Sequence, residues 1–233
     1  MLLSHAEWGV VWLSLEVAFL ATVSSLPVAI AVAWLLGRTQ FVGKSWIDAL
    51  IHAPLVLPPV AVGYVLLLLF GTQGTIGRWL FTHFGIRFVF TTKGAVLAAA
   101  VMAFPLMVRG IRLSLDTVDR GLELAARTLG ASATDVFWTV CLPLMLPGIL
   151  SGSIVGFARA LGEFGATITF ASNIEGETRT LPLAIYTAVE GVGGNTIALR
   201  LVIVSMALAL GALMVSGWLE NRMRSFLGYG RTR

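Results

Sequence analysis

Long apolar stretches that carry hardly any charge are the feature of this 233-residue sequence that most restricts its fold. A helix needs about 20 mostly apolar residues to cross a bilayer. Five stretches meet or approach that length, the third only if the Arg109 side chain extends toward the interface. The expected spans are residues 10–36, 47–70, 94–114, 142–171 and 196–219. We therefore expect an all-α integral membrane protein with five transmembrane helices, a single transmembrane domain over 8–220 and a basic tail at 221–233.

The composition supports this class and excludes several others. Hydrophobic residues make up 57% of the chain and charged residues only 12%, whereas soluble domains have about 25% charged residues. The single cysteine excludes a disulfide scaffold. The three histidines are scattered without the spacing of a metal-binding motif, so we expect neither a metal nor a catalytic centre. The apolar run Leu181–Val189 is too short to cross, and we expect a re-entrant or outer-surface helix there.

The distribution of Lys and Arg gives an expected orientation. Ten of the sixteen Lys and Arg residues lie on one side, two of them (Arg109 and Arg112) in the last turns of the third span and eight in the segments that follow the first, third and fifth spans; four lie in the other loops. Because Lys- and Arg-rich short loops stay in the cytoplasm, we expect the N-terminus outside and the C-terminus inside. The basic balance therefore requires no nucleic-acid partner.

The first cytoplasmic loop contains Phe41-Val42-Gly43-Lys44-Ser45, which ends like a nucleotide-binding P-loop. A P-loop has four residues between its two glycines and follows a strand. Here Gly37 and Gly43 enclose five residues and lie between two expected helices. We therefore expect no nucleotide site in this chain and no enzymatic activity of its own.

The longest cytoplasmic loop, 116–141, has the local chemistry of two short helices joined by a sharp bend outside the membrane. Apolar residues recur at helical spacing over 122–129, and Gly130 follows where a left-handed C-cap would end that helix. Ser132 with Asp135 three residues later forms a capping box that begins another helix. The pattern alone also fits an interfacial amphipathic linker.

The order of residues in this loop resembles the EAA motif of binding-protein-dependent ABC importer permeases. That motif has two alanines, three residues, a glycine, nine residues, an aliphatic residue, one residue and Leu-Pro. The family's glutamate directly precedes the alanines, whereas here Leu124 is there and Glu123 comes one earlier, about 100° away around a helix. The resemblance implies a coupling helix that docks on a separate cytoplasmic ATPase. The positions it implicates are Glu123, Ala125, Ala126, Gly130, Ala131 and Pro143.

The fourth span carries small and charged residues on one face. Gly148, Gly152 and Gly156 recur every fourth residue, and Arg159 and Glu163 lie within about 80° of the same face. Small residues at this spacing allow close helix packing, and charges inside a membrane face protein or water. Arg159 and Glu163 form either an ion pair that fixes helix packing, or a site at which Arg159 offers positive potential to a passing anion.

Other polar positions are candidates for the same translocation path. Thr167 and Thr169 offer hydroxyl groups that suit an oxyanion, although hydrogen bonding between helices is the commoner role of such residues. Glu16 in the first span either pairs with Arg159 or extends to the interface. The proline cluster at 54–59 marks a hinge or a static kink in the second span.

The resemblance extends over most of the chain. Residues 54–71, the coupling loop and 158–186 are similar to permeases of molybdate ABC importers, and 160–165 is also similar to sulfate and thiosulfate permeases. It implies a type I ABC importer permease fold in the cell inner membrane. It also implies a homodimer that works with two ATPase subunits and a periplasmic molybdate-binding protein, without a cofactor. Sulfate, thiosulfate and tungstate are alternative substrates, and a membrane-embedded enzyme or a channel without energy coupling is a more distant alternative.

Overall fold

The computed structural model describes the backbone of residues 3–226, with the side chains of this range except those of 220, 221 and 223–226. Within this part all regular structure is helical. The helices are α1 His5–Arg38, α2 Lys44–Val56, α3 Pro59–Phe70, α4 Thr75–Phe84, α5 Thr92–Asp116, α6 Arg120–Thr128, α7 Ala133–Val136, a π-helical turn Phe137–Cys141, α8 Leu142–Leu161, α9 Gly165–Phe170, α10 Leu181–Glu190 and α11 Asn195–Phe226. The last seven residues of the expected basic tail, 227–233, lie outside the described residues.

Among residues 3–226, four continuous helical stretches are long and apolar enough to cross a membrane, and α2 with α3 forms a fifth only if the two are counted together. These two helices are bent by 118° at Leu57–Pro58. Prolines account for the break: neither Pro58 nor Pro59 has an amide hydrogen to donate, and a residue before proline is pushed into extended backbone. Leu57 has that conformation, with ψ 144°. The expected second span is therefore a sharply broken pair of helices.

One other helix boundary differs from the sequence expectation, and one helix was not expected. In the fourth expected span, α8 ends at Leu161, ten residues before the expected end at 171. A separate short helix, α9, follows after a break. The amphipathic helix α4 between the second and third spans was not anticipated. The short apolar run after residue 180 does form a separate ten-residue helix, α10.

The helix of the third expected span, α5, is the centre of the bundle. One apolar cluster joins Leu36 of α1, Ile111 and Leu115 of α5, and Met145 of α8, all with no measurable exposure. A second cluster consists largely of alanines on α1 and α5. Small side chains let helices approach closely where burial of apolar surface does not drive association. The centre of the bundle is therefore tightly packed.

Contacts define two ends of the bundle. Arg38, the last residue of α1, pairs with Glu123 of α6, so residues 39–43 and 116–141 lie at one end, called the loop end below. Glu7, near the start of α1, pairs with Arg200 near the start of α11 at 2.8 Å. These two helix starts lie at the opposite end.

Candidate functional sites in the 116–141 loop and the broken fourth span

Helix α6 is the most exposed part of the loop. Asp119 caps its start by accepting a hydrogen bond from the Gly121 amide at 2.8 Å. Leu122, Leu124 and Leu129 present apolar side chains outward, and Leu129 is 89% exposed. Leu122 and Leu129, seven residues apart, lie on one face of this segment, and exposed leucines on one face suit contact with a protein partner.

The left-handed turn expected at Gly130 is confirmed, with φ +92°. The Ala131 amide donates to the Ala126 carbonyl at 3.1 Å and the Gly130 amide to the Arg127 carbonyl at 3.0 Å. This pair of bonds closes α6 as a Schellman-type C-cap does. The bend is therefore held by backbone hydrogen bonds and by a conformation that favours glycine.

The capping box expected at Ser132 is also confirmed. The Asp135 amide donates to the Ser132 hydroxyl at 3.2 Å, and the Ser132 amide donates to the Asp135 carboxylate at 3.1 Å. The Ser132 hydroxyl donates to the same carboxylate at 2.6 Å. These hydrogen bonds hold the pKa of Asp135, in the exposed loop, below its ordinary value.

The expectation of two separate loop helices is wrong in one respect: α7 continues into α8 without a break. The π-helical turn Phe137–Cys141 joins them, and the Leu142 amide donates to the Phe137 carbonyl five residues back. Pro143 explains the wide turn, because in a regular α-helix its ring would clash with the carbonyl four residues earlier. The second half of the loop is consequently the first part of a membrane-length helix, Ala133–Leu161.

Glu123 faces the chain's own first helix. Its carboxylate accepts a hydrogen bond from Arg38 Nε at 2.7 Å, and the side chains of Arg38 and Glu123 are 9% and 15% exposed. Arg38 Nη2 also donates to the carbonyls of Leu115, at 2.9 Å, and of Val118, at 3.2 Å. From the sequence, Arg38 is only one of the basic residues that set the expected orientation. No local signal connects two residues 85 positions apart.

The glycines expected to pack helices do so within the chain. A Cβ atom at Gly152 would lie 3.2 Å from the carbonyl oxygen of Met107 on α5, and one at Gly148 would overlap the Ser114 side chain. A Cβ atom at Gly156 would overlap Met107. The glycine face of α8 is thus covered by α5, so the stripe by itself does not require a second copy of the chain.

The charged pair lies where the fourth span breaks. Arg159, in the last turn of α8, is 2.7 Å from Glu163 through Nη1 and Oε2. The other carboxylate oxygen of Glu163 accepts from the Ala166 amide at 2.8 Å, which caps the start of α9. Glu163 is 3% exposed, whereas the Arg159 side chain is 28% exposed. Arg159 therefore pairs with Glu163 and not with Glu16, which is exposed on α1.

The break between α8 and α9 packs against the bend between α2 and α3. A Cβ atom at Gly165 would lie 2.7 Å from Cβ of Pro59, and one at Gly63 would lie 2.7 Å from the Ala166 carbonyl oxygen. The two interruptions, Leu57–Pro58 and residues 162–164, are thus held together by glycine contacts. Broken helices at membrane depth occur where they are buried in protein or line a cavity.

The two candidate threonines are placed differently from Arg159. Thr167 is 1% exposed and lies inside the chain. Thr169 is partly buried, and its hydroxyl donates to the Gly165 carbonyl at 2.9 Å on its own helix. Of the four residues assigned to a path, Arg159 is the one that offers a charge at a partly open surface.

Comparison with known proteins assigns the chain to a family. Residues 25–225 match the model of the binding-protein-dependent transport system inner membrane component. The chain is 57% identical over 228 residues to the molybdenum transport system permease protein ModB of Escherichia coli K12, covering 98% of this chain and all of that protein. The corresponding protein of Haemophilus influenzae is 55% identical over 224 residues, 96% of this chain and 98% of that one.

More distant similarity agrees with this assignment. A probable sulfate transport system permease protein, cysT of Chlorella vulgaris, is 35% identical over 178 residues, 76% of this chain and 66% of that one. Among solved structures, a bacterial ABC transporter involved in alginate import superposes with a TM-score of 0.74 at 14% identity, covering 94% of this chain and 80% of that one. The fold is thus that of type I ABC importer permeases. The chain belongs to the family of binding-protein-dependent transport system inner membrane components.

Proposed function

We propose that this chain is the membrane-spanning subunit of an ATP-driven molybdate importer in the cell inner membrane. The observation that carries the proposal is the construction of the 116–141 loop: an exposed helix, a fixed turn at Gly130 and a capped helix continuous with α8. A rigid exposed element of this kind suits docking on a separate ATPase. The names of the relatives, which are molybdenum transport permeases at 57% and 55% identity, support the substrate.

The complex contains two copies of this chain, two cytoplasmic ATPase subunits and a periplasmic molybdate-binding protein. The family's description as binding-protein-dependent supports the last of these. The partial exposure of Arg159 supports the dimer, because a charge at membrane depth is costly unless it faces protein or water. The loop end faces the cytoplasm, in keeping with the Lys and Arg bias of the loops.

Helix α8 transmits movement of the loop through the membrane as one rigid helix. When the ATPase subunits close on ATP, they displace the exposed leucines of α6 and the bend at Gly130. The helical run Ala133–Leu161 is 29 residues long, about 43 Å at 1.5 Å per residue, so it carries the displacement to the Arg159–Glu163 break. The break contacts Pro59 at the start of α3. Movement of the α8–α9 break relative to the α2–α3 bend opens the path alternately to each side of the membrane.

The anion meets Arg159 at this break. A guanidinium group has five N–H donors; the shortest distance to Glu163 is 2.7 Å, from Nη1, and the Arg159 side chain is 28% exposed. The remaining positive potential attracts a dianion, while the neighbouring carboxylate keeps the arginine from holding it too tightly. Arg159 thus guides the oxyanion without trapping it.

Reconstitution tests this function. The chain would be purified with its ATPase, placed in liposomes that contain ATP inside, and supplied outside with the binding protein and radiolabelled molybdate. We expect uptake that requires both ATP and the binding protein, and that unlabelled tungstate reduces. Sulfate or thiosulfate uptake at an equal or higher rate would make the chain a permease for those anions instead.

The same preparation separates the remaining alternatives. Uptake that persists without ATP would identify a channel. Chemical conversion of a substrate by the chain alone would identify an enzyme. In residues 3–226, no group of three or more His, Cys, Asp or Glu side chains is arranged to hold a metal ion.

A further inference from the structure

Arg38 connects three helical elements at the loop end. It is the last residue of α1. Its Nε donates to Glu123 of α6, and its Nη2 donates to the carbonyls of Leu115 and Val118, where α5 ends. The last carbonyls of a helix have no partner within that helix, so the same guanidinium satisfies the end of α5 and fixes α6.

Burial makes this junction more than a surface ion pair. The side chains of Arg38 and Glu123 are 9% and 15% exposed. A charge-assisted hydrogen bond shielded from water is stronger than an exposed one, and removing one partner leaves the other charge poorly solvated. Helix α6 is therefore held to α1 and α5 by hydrogen bonds of Arg38 that water does not readily replace.

The single cysteine of the chain lies in the apolar cluster beside this junction. Cys141 is 1% exposed, at the end of the π-helical turn that leads into α8. Cys141 shares a buried apolar cluster with Leu115, whose carbonyl accepts a hydrogen bond from Arg38, and Ala126 of α6 packs against that cluster. Because α6 packs against this cluster, separation of α6 from α1 and α5 should expose the thiol, so the reactivity of Cys141 reports whether the junction is closed.

We propose that Arg38 is a positioning residue that locks the docking loop to α1 and α5, so that displacement of the loop moves these helices together with α8. The proposal rests on the proposed function, and it adds a second route for the displacement. Glu123 then acts inside the chain, through Arg38, and is not a contact residue for the ATPase. The two side chains work as one unit.

Cys141 labelling tests the lock without any ATPase. The chain would be purified in lipid nanodiscs as the wild type, Arg38→Gln, Glu123→Gln and the conservative Arg38→Lys, and treated with a soluble maleimide. We expect labelling to accelerate about tenfold or more in both glutamine variants, because losing the charge-assisted hydrogen bond makes local opening easier. Lysine should restore part of the protection. Arg78→Gln, an exposed arginine at the opposite end, is the matched control and should label at the wild-type rate.

Transport coupling tests the consequence in the complete complex. We expect each glutamine variant to keep its ATPase bound but to import less anion per ATP hydrolysed. The double variant, Arg38→Gln with Glu123→Gln, should lose no more anion import per ATP than either single variant, because residues in one network are not additive. Unchanged Cys141 labelling, additive losses, or loss of ATPase binding in Glu123→Gln alone would each overturn the proposal. If no ATPase co-purifies with the wild type, the proposed function fails, and the labelling result still decides whether the lock exists.

Discussion

Replacement of Gly130 by valine would show whether the bend in the docking loop is needed for coupling. Gly130 has φ +92°, and a Cβ atom there would meet nothing within 4 Å. The cost of a side chain is therefore one of backbone strain and not of collision. A non-glycine residue in this region costs about 1–3 kcal/mol, and a side chain branched at Cβ falls at the upper end because it tolerates left-handed backbone least.

The strain has a definite expected effect on ATPase binding. If the ATPase recognises only the bent loop, a cost of about 1–3 kcal/mol weakens its affinity about 5- to 150-fold, since 1.4 kcal/mol corresponds to tenfold. Membrane insertion and dimer formation should be unaffected, because the turn lies outside the helical packing. Gly130→Asn should lose less, since asparagine visits left-handed backbone more readily than other side chains.

The measurement is co-purification of the ATPase together with oxyanion uptake, at matched expression. Gly85→Val is the matched control: Gly85 has φ +65° and the same open surroundings, but it ends α4 at the opposite end of the bundle. We expect Gly85→Val to bind the ATPase normally. Full binding and full uptake by Gly130→Val would refute the argument and leave the loop as an interfacial linker.

Three further predictions concern the rest of the chain. Gly63→Ala should destabilise the protein by about 1–3 kcal/mol, because the added methyl would lie 2.7 Å from a backbone oxygen of α9. Thermal unfolding in detergent measures this loss. Gly211→Ala, at a position with open surroundings, is the control and should leave the unfolding temperature unchanged. The double reversal Arg159→Glu with Glu163→Arg should retain assembly and lose uptake if Arg159 guides the anion, and normal transport would eliminate that role. Reporter fusions at the C-terminus and within 71–91 should report opposite compartments, and a shared compartment would refute the proposed orientation.

The sequence predicted the parts of the structure that local chemistry determines. The left-handed Gly130 and the Ser132–Asp135 capping box depend on residues within a few positions of one another, and both occur as expected. The Arg159–Glu163 pair is likewise local, because it joins residues four positions apart at the end of α8. Membrane-length helices were predictable because apolar length alone identifies them.

The parts that were missed depend on contacts between distant residues or on how several prolines act together. Arg38 and Glu123 meet only because α1 ends where α6 begins. The prolines at 58 and 59 were expected to make a hinge or a kink, but two adjacent residues without amide hydrogens break the helix completely. Pro143 widens the helix into a π-helical turn without ending it. Sequence composition alone does not show whether a proline will break a helix or only widen one turn of it.

Site-specific photocrosslinking from Leu129 is the most direct test of the central claim that the 116–141 loop docks on a separate ATPase. Leu129 is 89% exposed beside the bend, and Val192, fully exposed between α10 and α11 at the opposite end, is the matched control. A photoreactive amino acid would replace each residue in turn, in cells that also produce the ATPase. We predict a crosslink to the ATPase from position 129 and none from position 192. Absence of the crosslink from position 129 in a complex that still imports molybdate would contradict the account.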